Sequence, residues 1–229
     1  MVQILNIRSN KAAGKASSDR VQRRSEARRL DILHAAARVF RRRGVAAAGM
    51  REIAEEADLS SGNLYYYFHG KDELLYFCQD RTLAQMLEAV EAARATGAPA
   101  AEQLRAVLVA HLHCMLDEMQ GGTAHLEIDA LPDKLRAQIV AKRDGYEMAV
   151  RDLVAKGVKR GEFAKCDVAL VTRAMLGALN WTVRWYRPEG RQPVSEIAES
   201  LSDYLVRGLM RAANTGTART VVVTARNRR

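Results

Sequence analysis

Ser60, Ser61, Asn63, Tyr65, Tyr66, Tyr67, His69 and Lys71 crowd into one short stretch of the 229-residue chain. Hydroxyls and an ammonium suit phosphate oxygens, and an asparagine amide can pair with adenine through both its donor and its acceptor. A nucleic-acid surface is therefore expected to use Ser61, Asn63, Tyr65, Tyr66 and Tyr67. Asn63 is the residue suited to reading a base, and Tyr65 is suited to phosphate. Plain packing is the competing reading, because tyrosines pack more often than they recognise. Yet consecutive helix positions point in different directions, so three adjacent rings cannot all be buried.

These residues need a scaffold, and the flanking pattern supplies one. Residues 50–57 place Ile53, Ala54 and Ala57 on one face at helical spacing. Asp58, Leu59, Ser60 and Ser61 then offer a leucine to bury and hydroxyls to cap the next helix, residues 62–68. Two short helices joined by a tight turn make a helix-turn-helix, whose second helix can lie in the DNA major groove. A preceding helix over residues 32–43 ends at Gly44; Leu30, Leu33, Ala37 and Phe40 give the segment an inner face. Arg38, Arg41, Arg42 and Arg43 near its end suit the helix dipole.

The stretch from about residue 28 to 75 resembles the TetR family of transcriptional regulators. The match is ungapped through M-R-E-I-A-E-E-A, L-S-S-G-N-L-Y-Y-Y-F and K-D-E-L. The chain departs from the family at Gly49 and Met50, where hydroxyl residues are usual. The resemblance implies a DNA-binding set of Arg51, Ser60, Ser61, Gly62, Asn63, Tyr65, Tyr66, Tyr67 and Lys71, with Lys71 on phosphate. It also implies a homodimer on a near-palindromic operator, since one recognition helix reads too few base pairs alone.

Formal net charge is +9, which suits a polyanionic partner. No run approaches the roughly 18 apolar residues that cross a bilayer, and no signal-peptide core is evident, so a cytoplasmic protein with no membrane partner is expected. Cys78, Cys114 and Cys166 fit neither a disulfide framework nor a zinc site. His111 and His113 diverge on a helix and do not share an ion easily. No catalytic constellation stands out, so neither an enzyme nor a cofactor is expected.

Few prolines and long Ala, Leu, Arg and Glu stretches give an all-α fold class, and the resemblance implies an N-terminal three-helix helix-turn-helix domain plus a larger helical ligand-binding and dimerisation domain. The expected division is a basic flexible arm at 1–27, the DNA-binding domain at 28–75, the larger domain at 76–213 and a basic tail at 214–229. Further helices are expected near 71–93, 101–120, 126–131, 133–159, 167–186 and 193–213. Residues 168–183 are apolar on nearly every side, so that helix must be covered on more than one face. With the stripe of Val194, Ile197, Leu201, Tyr204 and Leu205, it suits a four-helix contact across a two-fold axis.

The segment N-W-T-V-R-W-Y-R-P-E-G, residues 180–190, resembles TetR-type regulators of fatty-acid, aromatic-acid and steroid catabolism, whose effectors are often acyl-CoA thioesters. That resemblance implies a small-molecule effector, an acyl-CoA, in an apolar channel with cations for its phosphates. Met86, Leu112, Met115, Met119, Met148, Met175 and Trp181 are the candidates for the channel, and Arg143, Arg184 and Arg187 for the phosphates. The alternatives are a multidrug sensor controlling efflux, which would want carboxylates in its pocket, an enzyme acting on CoA thioesters, and a sequence-indifferent architectural DNA binder.

Overall fold

The computed structural model describes residues 3–117 and 122–211, with side chains from Arg20 onward except residues 118–123. The expected basic tail at 214–229 lies outside the described residues. Helix α1 spans Gln3–Arg43, α2 Met50–Glu56 and α3 Ser61–Tyr67. Then come α4, Lys71–Ala95, α5, Ala100–Leu116, and the single-turn α6, Gly122–His125. After a 3₁₀ turn at Ile128–Ala130 follow α7, Asp133–Arg160, α8, Val168–Trp185, and α9, Val194–Arg207. Among the described residues no strand forms; only a lone bridge joins Phe163 to Met210.

Local chemistry explains most boundaries. Gly44, at φ +76°, takes the left-handed conformation that ends α1. Asp58 does the same after α2 at φ 55°, and the Leu59 N–H reaches back to the Ala54 carbonyl at 2.9 Å. This six-to-one closure makes the helix-turn-helix turn without a glycine, because a short polar side chain tolerates the left-handed region. Ser60 caps α3 by accepting the Asn63 N–H at 3.2 Å, and Asp167 caps α8 through Leu170 at 3.0 Å. Gly49 precedes α2 with no side-chain cap, the outcome of lacking a hydroxyl there.

Two expectations are corrected. The first helix begins at Gln3 rather than near residue 32, so the segment expected as a flexible arm is helical. Its alanines and long cationic side chains favour helix, and it propagates from an already packed segment without a new nucleus. The helix expected at 126–131 is replaced by α6 and the 3₁₀ turn.

The N-terminal helices close on Ile32, Phe40, Ile53, Leu64 and Phe68, all fully buried. Glu56 is gripped by Arg38 and Arg42, each at 2.6 Å, fastening α2 to α1. Those hydrogen bonds hold the Glu56 carboxyl below the usual carboxylate range. In the larger bundle α5 packs against α4, α7, α8 and α9. Small α6 wedges between α1, α4 and α5, so it touches both parts of the molecule.

Candidate nucleic-acid interface and effector cavity

On α3 the inward side chain is Leu64, which fixes which faces look outward. Ser61, Gly62, Asn63, Tyr65 and Tyr66 are exposed together, Tyr66 to 78%. Tyr67 is half-buried and meets the Tyr66 ring edge-on with centroids 5.1 Å apart. Ser60 spends its hydroxyl oxygen on the cap. Arg51 is exposed on α2 and pairs along its own helix with Glu55 at 3.0 Å. Hydroxyls, an amide and ring edges thus form one surface around a helix N-terminus, where backbone N–H groups also favour anions.

Lys71, expected on phosphate, has its ammonium at the α1–α2 connection. Its ammonium donates to the carbonyls of Val45, Ala46 and Ala48 at 3.0, 2.9 and 3.3 Å. The α1–α2 connection exposes carbonyls that lack helical partners, and the lysine saturates them. Its role in this geometry is to hold that connection.

A cavity of about 290 Å³ lies inside the larger bundle. Leu83 and Met86 from α4, Leu126 after α6, and Leu176 from α8 form its apolar wall. His111, His125, Arg143, Tyr146 and Asn180 bring polar groups to it, with Glu147, Arg173 and Gly177 completing the rim. His111 is buried between two partners: its Nε2 lies 3.2 Å from Asn180 Oδ1 and its Nδ1 3.1 Å from the Tyr146 hydroxyl. A carboxamide oxygen only accepts, so Nε2 carries the proton and the tyrosine donates to Nδ1. Burial drives the His111 pKa down to about 4, so the ring is neutral at pH 7. Burial, with the Arg143 cation beside it, pushes His125 down too.

Arg143 donates to the His125 carbonyl, tying α7 to α6. Its buried Nε has no protein partner, and neither has His125 Nδ1. Desolvation lowers the Arg143 pKa, partly countered by Asp129. Glu147, the carboxylate of the rim, is neutralised by Arg151 and by Arg173, the latter at 3.2 Å. The wall therefore presents a cation and hydrogen-bonding groups with no spare carboxylate.

Of the residues expected to hold the effector, Met86 and Arg143 reach this cavity, and Met119 lies outside the described residues. Leu112, Met115 and Met175 are buried in the core beside it. Met148 is exposed, and Trp181, expected in the channel, is 64% exposed on the outer face of α8. Arg184 is exposed, and Arg187 donates to the Tyr186 carbonyl at 2.9 Å in the connection after α8. Met115 and Arg187 instead border a second hollow beside Arg41 and Arg42. Asn180 turns inward because it lies four residues after Leu176, on the same face of α8; Trp181 falls one step round. Sequence reading missed His111, His125, Tyr146 and Asn180 as a set, because polar residues from four separate helices leave no local pattern.

Among the described residues no group of side chains is arranged to hold a metal ion, and no helix is long and apolar enough to cross a membrane. Comparison with known proteins agrees with the geometry. Residues 32–76 match the model of bacterial regulatory proteins of the tetR family, and residues 97–209 that of the tetracyclin repressor-like C-terminal domain. The HTH-type transcriptional repressor KstR2 of Mycobacterium tuberculosis is 29% identical over 206 residues, covering 83% of this chain and 97% of its own. The TetR family transcriptional regulator PfmR from Thermus thermophilus is 34% identical with a TM-score of 0.70, over 79% of this chain and 99% of its own. AibR, solved with isovaleryl coenzyme A and operator DNA, shares the fold at 24% identity and TM-score 0.66, over 80% and 98% of the two chains. With an exposed recognition helix ahead of a helical bundle, and both family models matched, this chain belongs to the TetR family and is a DNA-binding regulator, not an enzyme.

Proposed function

We propose that the protein is a cytoplasmic homodimeric repressor, released from a near-palindromic operator by an anionic acyl thioester, an acyl-CoA, held in the cavity of the larger bundle. The observation that carries the reading is the half-buried Arg143, which lines the cavity and has a buried Nε without a protein partner, while Glu147, the carboxylate of the rim, is held by two arginines. A thioester carbonyl or hydroxylated acyl group suits His111, Tyr146 and Asn180. The apolar chain suits Leu83, Met86 and Leu176. A space of about 290 Å³ takes the acyl part, leaving the nucleotide beyond the rim near exposed Arg173. KstR2, named a repressor, and AibR, solved with an acyl-CoA, are consistent with this assignment.

Asn63 would read a base, with Ser61, Tyr65 and Tyr66 on the flanking phosphates and bases. The dimer would form through α8 and α9. Leu170, Ala174, Ala178, Trp181 and Trp185 make an exposed apolar stripe at helical spacing, and Leu170 is 65% exposed. Tyr204 of α9 is 75% exposed, beside half-buried Leu201 and Leu205. Release would travel through α6, which carries His125 on the cavity wall and rests against α1. A sensor of cationic drugs is disfavoured, because Glu147 is already neutralised by two arginines.

Calorimetry of the dimer with a panel of acyl-CoAs, with and without selected operator DNA, tests the reading. Saturable binding that weakens when operator is present, with DNA affinity falling by the same factor when ligand is present, is the expected result. Absence of saturable binding across chain, ring and aromatic thioesters would remove the acyl-CoA assignment and leave the regulator standing.

A further inference from the structure

We propose that the N-terminal part of α1 is a second DNA-binding element, lying along the duplex that flanks each half-site. The inference rests on reading α3 as the recognition helix.

Its first support is continuity. Arg29 donates through Nη2 to the Tyr67 carbonyl at 3.0 Å, and its guanidinium stacks on Phe68 and Phe77, 5.1 and 5.8 Å from their centroids. These contacts pin α1 to the C-terminal end of α3. Gln22, Ser25, Glu26 and Arg29 of α1 then share one groove with Tyr66 and Tyr67. The helix therefore leaves the body on the side where α3 exposes its rings.

Burial supplies the second support. Residues 20–27 are all exposed, and among the described residues of α1 full burial begins at Ile32. Residues 20–27 therefore contribute little to packing and present their sides to whatever lies next to α3.

Charge names the occupant. Residues 1–24 carry Arg8, Lys11, Lys15, Arg20, Arg23 and Arg24 against Asp19 alone. Such an excess favours a polyanion over an apolar or acidic-poor protein surface. From Arg29 back to Gln3 the helix extends roughly 39 Å at 1.5 Å per residue. That reach matches about 11 base steps of duplex at 3.4 Å per step.

The test begins with a chain lacking residues 1–24, used to select its preferred duplex from a random library. That core duplex is then prepared blunt and with flanks of arbitrary sequence of about 12 base pairs on each side. The full chain should bind the flanked duplex about 10-fold or more tightly than the blunt one at low salt, whereas the truncated chain should bind both alike. Hydroxyl-radical protection should retract towards the core when residues 1–24 are removed. In the full-length chain Arg23→Gln with Arg24→Gln should make the salt dependence shallower by about 2 in slope, independently of any folding effect of truncation. An equal gain from flanks for both chains, or an unchanged footprint and slope, overturns the proposal. A truncation that alters the sedimenting species while leaving flank dependence untouched assigns the segment to pairing between copies and overturns it as well. Failure of the underlying reading looks different: no duplex would be enriched at all, or Asn63→Ala would keep the full sequence preference.

Discussion

Asn63 is exposed at the start of α3, and its amide carries both a donor and an acceptor. Asn63→Ala should relax preference at one operator position at a cost of about 1–3 kcal/mol, measured by competition among single-base variants of the selected duplex. Loss of affinity spread evenly over all duplexes would place it on the backbone instead. Lys71 should behave unlike a phosphate contact. Its ammonium serves three carbonyls, so Lys71→Met should destabilise the fold by about 1–3 kcal/mol and leave the salt slope of DNA binding unchanged. Denaturant melts with binding at several salt concentrations decide this. His111 has a pKa near 4 when folded against 6.5 as its ordinary value. Below pH 6.5 the unfolded chain takes up a proton that the folded ring refuses until about pH 4. Its contribution is therefore complete above pH 6.5 and lost as pH falls towards 4, by about 3 kcal/mol. Thermal melts across that window should steepen with acid, and His111→Gln should flatten part of the fall; an identical pH profile in that variant would deny it the role.

At the scale of elements, α8 carries two proposed tasks on two faces. Asn180 and Leu176 face the cavity, while Leu170 and Trp181 face out. Trp181→Asp should split the proposed dimer, because a carboxylate would be buried unpaired in an apolar contact. Sedimentation of a well-folded variant still migrating as a dimer would move the interface elsewhere. Gly157 has a different reason to be small: a Cβ there would lie 2.2 Å from the Phe163 ring. Gly157→Ala should cost about 1–3 kcal/mol by overpacking, read as a lower midpoint in urea. Element boundaries were legible where chemistry is local: Gly44, Asp58, Ser60, Pro132, Gly161 and Asp167 all sit at the ends their residue types suggest. The start of α1 was not, because a polar cationic stretch reads alike as arm or as helix until its packed continuation is known. Nor was the direction of Trp181, since an all-round apolar helix does not announce which side faces the bundle.

For the whole molecule, the recognition surface was readable because its residues are consecutive, whereas the cavity gathers residues from α4, α5, α6, α7 and α8. Only the folded chain brings His111 to Asn180, 69 positions apart. Helix α1 has a mechanical consequence. It runs unbroken for 41 residues, from the proposed DNA flank to its contact with α6. An unkinked helix tilts as a rod. With an arm of roughly 39 Å beyond Arg29, a tilt of about 5° displaces the far end by about 3 Å, close to one base step of duplex. On the proposed route of release, a sub-ångström shift of α6 would be geared up along α1, so that the far end of the helix would leave its register before the body of the bundle had visibly moved.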